Sequence, residues 1–109
     1  MKLTVYISNA VRYYWGMIVG FRDPGTEALW ATGRNRRLPP TIWRTAWRKL
    51  AILNAAVELN NLRVPLGNQF EALTKDRKGQ HSIRVNDQYR ICFRWLNGNA
   101  HDVEIVDYH

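Results

Sequence analysis

The sequence predicts an α+β fold in which two helices pack on one face of a mainly antiparallel sheet, and three observations carry that prediction. An apolar stripe at spacings of three and four runs through "TIWRTAWRKLAILNAAVELNNL". After Phe70 the period changes to two, in "HSIRV" and "YRICFRW". Asn97-Gly98, a hairpin signal, then links the last two alternating runs into a meander. Helices first and strands afterwards is the pattern of an α+β domain.

The chain has 109 residues, 46% of them apolar, which suffices for one compact core and is short for two domains. Ser8, Asn9, Arg12 and two tyrosines interrupt the opening stretch "MKLTVYISNAVRYYWGMIVGF", which argues against a signal peptide or a membrane span. A soluble, cytoplasmic protein is expected. In "RDPGTEALWATG", Asp23 can cap a short helix, Pro24 suits its first position, Glu27 favours its positive end and Gly33 can end it. Pro39 and Pro40 open a longer helix whose stripe is Ile42, Ala46, Leu50, Leu53, Val57 and Leu62, with Pro65 as its stop. Trp43 and Trp47 stand one residue off the stripe and read as widening its apolar edge. Cys92, the single cysteine, allows no internal disulfide and no Cys-based metal site, and reads as a small core or sheet residue.

In the alternating runs, His81, Ile83, Val85, Tyr89, Ile91, Phe93 and Trp95 share one face, and Ser82, Arg84, Arg90, Cys92 and Arg94 the other. A common apolar face requires an odd-length loop between the two runs. Asp87-Gln88-Tyr89 is the expected loop, with Asn86 opposite Arg90 and Arg84 opposite Cys92. Pairing Trp95 with Val103 in the next hairpin sets Glu104 against Arg94 and Tyr108 against Arg90, and leaves His101 exposed in the loop.

Formal net charge is +7 and the isoelectric point about 10.1, values that suit a polyanionic partner. Twelve of the sixteen basic residues are arginine, which forks onto phosphate and stacks on bases, so nucleic acid is favoured. On the sheet face Arg84, Arg90 and Arg94 cluster, preceded by Lys75, Arg77 and Lys78 in "TKDRKG". These could be a solvated surface or a phosphate-binding one. A second group, Arg34, Arg36, Arg37, Arg44, Arg48 and Lys49, contains no acid.

The chain closes on "VEIVDYH". A histidine beside arginines exchanges protons near its ordinary pKa of about 6.5, and an adjacent carboxylate can orient it. Cations with His109, Tyr108 and Asp107 could serve RNA cleavage by the strand's own 2′-hydroxyl: a base takes its proton, cations stabilise the crowded phosphate, and an acid protonates the departing 5′-oxygen. By strict alternation Asp107 and His109 point to the apolar face, so joint action with Tyr108 requires the strand to end or twist at Val106.

Four stretches, "GFRDPGTEALW", "PPTIWRTAWRKLAILNAAVELNNL", "FEALTKDRKGQHSIRVNDQYRICFRW" and "DVEIVDYH", resemble the RelE-type toxins of toxin-antitoxin systems, specifically the HigB-like plasmid maintenance killer proteins. The resemblance spans Ile18 to His109, and "SIRVNDQYRICFRW" with "VEIVDYH" is its most specific part. It implies a RelE-like fold and a cytoplasmic ribonuclease, free of metal and cofactor, that cuts messenger RNA in the ribosomal decoding site. It also implies a helix-turn-helix antitoxin, HigA-like, as partner. Its catalytic roles fall on Arg90 as the phosphate cation and on Asp107, Tyr108 and His109 as positioning and acid-base groups. Arg84 joins them by the parity of its strand, with Lys75, Arg77, Lys78 and Arg94 as RNA-binding cations. Two other readings are a non-catalytic RNA- or ribosome-binding inhibitor and a decayed toxin that only binds its antitoxin.

Two departures from the family pattern stand out. Glu71 occupies a position where the family often has histidine, and Leu73-Thr74-Lys75-Asp76 replaces a frequent Leu-Lys-Gly-Asp. Glu71 then reads as a solvated strand residue, or it or His109 supplies the base. His81 reads as core. Family chains begin near the equivalent of Met17, so residues 1–16 are either upstream of the native start or an extension whose Tyr13, Tyr14 and Trp15 cover apolar surface, with residues 17–109 as the toxin domain. The antitoxin could dock on the helical basic group or on a sheet edge.

Overall fold

The structure, a computed structural model, describes residues 3–7, 10–14 and 17–108, the first two stretches by their backbone alone. His109 and the side chains of Tyr13, Tyr14 and Trp15 lie outside the described residues, and so do the expectations placed on them. The backbone of β1 (Leu3–Ile7) pairs with that of β2 (Ala10–Tyr14) as an antiparallel hairpin.

Helix α1 (Pro24–Thr32) forms between the signals that bracket it. The Asp23 carboxylate accepts from the Thr26 N–H at 2.9 Å, and Gly33, at φ 79°, donates its N–H to the Leu29 carbonyl at 2.8 Å. Both ends therefore satisfy backbone groups that a helix leaves unpaired. Thr26 also ties the helix to the sheet, since its hydroxyl donates to Asp23 Oδ1 at 2.7 Å and accepts from the Ile105 N–H at 3.1 Å.

Helix α2 (Pro40–Ala55) buries Ala46, Leu50 and Leu53 completely. It stops well before Pro65, contrary to the expected stop. Asn61 Oδ1 accepts from the Val57 and Glu58 N–H groups at 3.0 and 2.8 Å, and a 3₁₀ turn over Leu59–Arg63 replaces the helix. Asparagine side chains compete for backbone donors in this way, which is why they interrupt helices. Leu62 is fully buried all the same, whereas Val57 is exposed.

The four-stranded sheet has the order β3 (Glu71–Ala72), β4 (His81–Arg84), β5 (Tyr89–Leu96), β6 (Asn99–Asp107), every pair antiparallel. Beyond β6 the segment around Ile18 to Phe21 adds parallel bridges to Ala100 and Val103, so that edge is covered. Leu29, Leu50, Leu53 and Leu62 meet Ile83, Ile91, Phe93 and Val103 in a single core. Each such side chain contributes about 1.5–3 kcal/mol by leaving water.

The facial alternation holds, but both expected registers shift. Arg84 lies opposite Arg90 and Ser82 opposite Cys92, because the loop is Asn86-Asp87-Gln88. Asn86 Oδ1 accepts from the Gln88 and Tyr89 N–H groups at 2.9 and 2.7 Å and turns the chain one residue earlier. In the next hairpin Glu104 lies opposite Cys92, not Arg94, and Val106, not Tyr108, opposite Arg90. The turn at Asn97-Gly98 leaves Leu96 opposite Asn99, and a bulge between Cys92 and Arg94 resets the pairing. His101 therefore sits in β6 opposite Arg94, half-buried.

Candidate active site

The arginine face of the sheet is more enclosed than a solvated surface, since Ser82 and Cys92 are fully buried and Arg90 is 8% exposed. Burial pushes the Cys92 thiol up to about 11, so it stays protonated.

Arg90 is fixed by strand and loop together. Its Nε donates to Ser82 Oγ at 2.8 Å, and its Nη2 donates to the carbonyl oxygens of Gln69 and Ser82. Glu71 Oε1 stands 3.6 Å from Nε, which makes Glu71 an ion partner of Arg90 and not merely a solvated strand residue. The Tyr108 ring covers the guanidinium, Cζ lying 5.7 Å from its centroid. A buried cation needs this much compensation.

The loop that presents Gln69 is itself pinned from below. Asn68 is fully buried, donates to the Leu62 and Val64 carbonyls at 3.1 and 3.3 Å, and accepts from Lys49 Nζ at 2.7 Å. Burial, with a smaller contribution from the positive charge of Arg84, lowers the pKa of Lys49.

Tyr108 is held by its backbone, whose N–H donates to the Gln88 carbonyl at 2.7 Å, so the β4–β5 turn positions the chain end. β6 continues through Asp107, past Val106, where joint action of Asp107 and His109 with Tyr108 requires it to end or twist. Asp107 lies opposite Tyr89, on the apolar parity, and its Oδ2 accepts from Gln88 Nε2 at 2.9 Å. Arg84 forms an ion pair with Asp87 at the same turn.

The remaining predicted cations divide. Arg77 donates to Glu104 Oε1 at 3.0 Å and to Gln80 Oε1 at 3.0 Å, while Arg22 takes the other oxygen of Glu104 at 2.9 Å. The expected Arg94–Glu104 pair is absent among the described residues; Arg94 stands 3.7 Å from Asp102. Lys75 and Lys78 are exposed. His81 stacks between Phe70 and Phe93, at 5.4 and 6.1 Å, and burial lowers its pKa. Among the described residues no group of three or more His, Cys, Asp or Glu side chains is arranged to hold a metal ion.

Three partners of Arg90 escaped the sequence reading: Ser82, the Gln69 carbonyl and Glu71 in its pairing role. Ser82 shares the parity of Arg90, and with Arg84 opposite Arg90 it becomes a diagonal neighbour, so the correct register would have found it. A buried guanidinium beside a phenol at a chain end can hold a phosphate's charge next to a proton-transferring group.

Comparison with known proteins points one way. Residues 19–109 match the family model described as the RelE-like toxin of type II toxin-antitoxin system HigB. The chain is 44% identical over 85 residues to Toxin HigB-1 of Vibrio cholerae, covering 77% of this chain and 90% of that one. It is 29% identical over 93 residues to Endoribonuclease HigB of Proteus vulgaris, covering 85% of this chain and 100% of that one. Among solved structures, a chain of the YoeB-YefM complex from Staphylococcus aureus superposes with a TM-score of 0.51 at 15% identity, over 86% of this chain and 99% of that one, a likeness of fold.

Proposed function

Because the chain belongs to the HigB-like toxins of type II toxin-antitoxin systems, which are RelE-like, we propose that it is an endoribonuclease that cuts messenger RNA on the ribosome and is restrained by a helix-turn-helix antitoxin. The observation that supports this most is the setting of Arg90, a cation locked by Ser82, Gln69 and Glu71 with Tyr108 over its plane.

In the proposed reaction the 2′-oxygen of the RNA loses its proton and attacks the adjacent phosphorus. The bond to the 5′-oxygen breaks, and that oxygen takes up a proton. Products are a 2′,3′-cyclic phosphate and a 5′-hydroxyl. Arg90 neutralises the charge that builds on the phosphoryl oxygens, which is where a preorganised cation lowers the barrier most. Tyr108, His109 and Glu71 form the pool from which base and acid are drawn, and Asp107, which accepts from Gln88 Nε2, positions the end of β6. Arg84, Arg94, Lys75 and Lys78 steer the strand by their charge. Support for a ribonuclease comes from the relative named Endoribonuclease HigB, and support for an antitoxin partner from the family's description. Such a substrate implies a cytoplasmic site of action.

Primer extension on a translated message tests the proposal. Wild type should give discrete cleavages, and Arg90→Ala and His109→Ala should give none. Intact message with stalled ribosomes would replace catalysis by occupancy, and undiminished cleavage by both variants would remove the site.

A further inference from the structure

The reaction leaves the outer side of the helical pair without a role. Ala46, Leu50 and Leu53 of α2 are buried against the sheet. At 100° per residue, Arg44 and Arg48 point the opposite way and Trp47 lies on the flank between. The core thus separates this surface from Arg90.

Trp30 of α1 and Trp47 of α2 stack with centroids 5.3 Å apart and planes 23° apart, and Trp47 is 39% exposed. The sequence expectation that Trp47 extends the apolar core edge therefore accounts for only part of its surface. Trp47 Nε1 donates to the Trp30 carbonyl at 3.2 Å, and Trp43 Nε1 donates to the Leu38 carbonyl at 2.9 Å. With both donors used internally, the exposed part of Trp47 presents π surface, while Trp43 is half-buried against the core. Beside them lies an open cleft of about 740 Å³ lined by Trp30, Trp43, Trp47, Arg44 and Arg48. A second cleft, of about 550 Å³, shares Thr32 and Trp43 with the first and is lined by Arg34, Arg36 and Arg37; its one acidic lining residue, Asp23, is engaged by the Thr26 N–H and hydroxyl.

Charge is equally one-sided. From Ala28 to Val57 the chain has six basic residues and no Asp or Glu. Among the described residues none of Arg34, Arg36, Arg37, Arg44 and Arg48 forms an ion pair. Structural demands explain the buried stripe of α2 but not five unanswered guanidinium groups around a tryptophan platform. Basic clefts with exposed aromatic faces fit single-stranded nucleic acid, whose phosphates take the arginines and whose unpaired bases stack. Arginine in place of lysine at five of the six positions adds forked phosphate contacts.

We infer that this face docks an unpaired stretch of RNA, separate from the strand at Arg90. The source of that RNA rests on the proposed function, which makes it an RNA of the translating ribosome; the binding itself does not. Phosphates lie against Arg44, Arg48 and the Arg34–Arg37 loop, and a base stacks on the exposed part of Trp47.

A 12-nucleotide 2′-O-methyl RNA, which cannot be cut by its own 2′-oxygen, is the probe, read by anisotropy and tryptophan quenching. Trp47→Leu should weaken binding by roughly 5- to 150-fold. Arg44→Gln with Arg48→Gln should reduce the slope of log affinity against log salt by about 1.4, since each phosphate contact on a single strand contributes about 0.7. Circular dichroism confirms that the variants fold. Unchanged affinity and slope in both would overturn the inference, as would a loss confined to Arg84→Gln or Lys75→Gln. An acidic peptide that binds through Trp47 while the RNA does not would make the surface a protein dock and overturn it as well. Binding through Trp47 by a protein that cuts no message would sink the ribonuclease and leave the dock. Cleavage with Trp47-independent binding would do the reverse.

Discussion

Arg90 and Arg44 carry the same side chain on opposite sides of one core, in opposite circumstances. Arg90 is 8% exposed and held by a hydroxyl, two carbonyls, a carboxylate and a ring. Arg44, with Arg48 beside it, stands in solvent with no acid in its own helix. A buried cation has lost its hydration and is stabilised by its partners instead, so its position is tied to theirs. An exposed one costs the fold little and acts through a field that salt screens within about 10 Å. The sheet side is therefore suited to chemistry, which needs geometry, and the helical side to docking, which needs area and charge.

The largest effect that separates the two sides is on Arg90. Arg90→Ala should abolish cleavage and toxicity and destabilise the fold by about 3 kcal/mol, because it leaves the Gln69 carbonyl and Ser82 unpaired and Glu71 without its cation. Arg44→Ala should change stability by no more than about 0.5 kcal/mol. Urea unfolding of the two variants measures both. Equal destabilisation would erase the contrast. Arg90→Lys sharpens it, since the charge survives while the ammonium cannot reproduce the forked contacts, so toxicity should be lost with a smaller drop in stability.

The same contrast explains what could be read in advance. Facial alternation, the Asp23 and Gly33 caps and the burial of Ala46, Leu50 and Leu53 in α2 follow from local chemistry and appear as expected, whereas the stripe's continuation fails at Val57, which is exposed beyond the helix end. Register did not follow, because alternation fixes pairing only to within two residues and the turn decides the rest. Between β4 and β5 the Asn86 side chain made that choice. Between β5 and β6 two legible signals conflict. A two-residue Asn97-Gly98 turn sets residues of unlike parity opposite each other, yet Phe93 and Val103 must share a face. One extra residue reconciles them, and Asp102, at φ 51°, lies in that bulge. The proximity of Tyr108 to Arg90 was anticipated from a register that proved wrong; it arises because the chain end folds past the turn. Ser82 and Gln69 were invisible for that reason: they depend on register and on a loop.

That loop offers the next test. Asn68 is fully buried beneath the Gln69 carbonyl's segment, on the side where geometry is demanded. Asn68→Ala should cost about 2 kcal/mol by stranding the Leu62 and Val64 carbonyls and the Lys49 ammonium. It should also slow cleavage, since Gln69 would no longer be held against Arg90. RNA binding at Trp47 should be unaffected. Parallel measurements of unfolding, message cleavage and 2′-O-methyl RNA affinity check this, and a loss of affinity equal to the loss of cleavage would mean that the two surfaces are one.

The smallest effect concerns a proton on the apolar face of the sheet. His81 is stacked between Phe70 and Phe93, its Nδ1 is buried without a hydrogen-bond partner, and burial lowers its pKa from 6.5. The folded protein therefore resists a proton that the unfolded chain accepts. Above about pH 6.5 the ring is neutral in both states and imposes no penalty. As pH falls below that value the unfolded state gains protons first, and stability declines until the lower folded pKa is passed. His81→Phe keeps an aromatic ring in the stack and removes the titration. The variant's Tm should lie closest to wild type's above pH 7 and gain on it steadily as pH falls to 5. Parallel Tm curves across that range would show that the fold does not lower the affinity of His81 for a proton, and the stack of Phe70 and Phe93 would then not be the desolvating environment described.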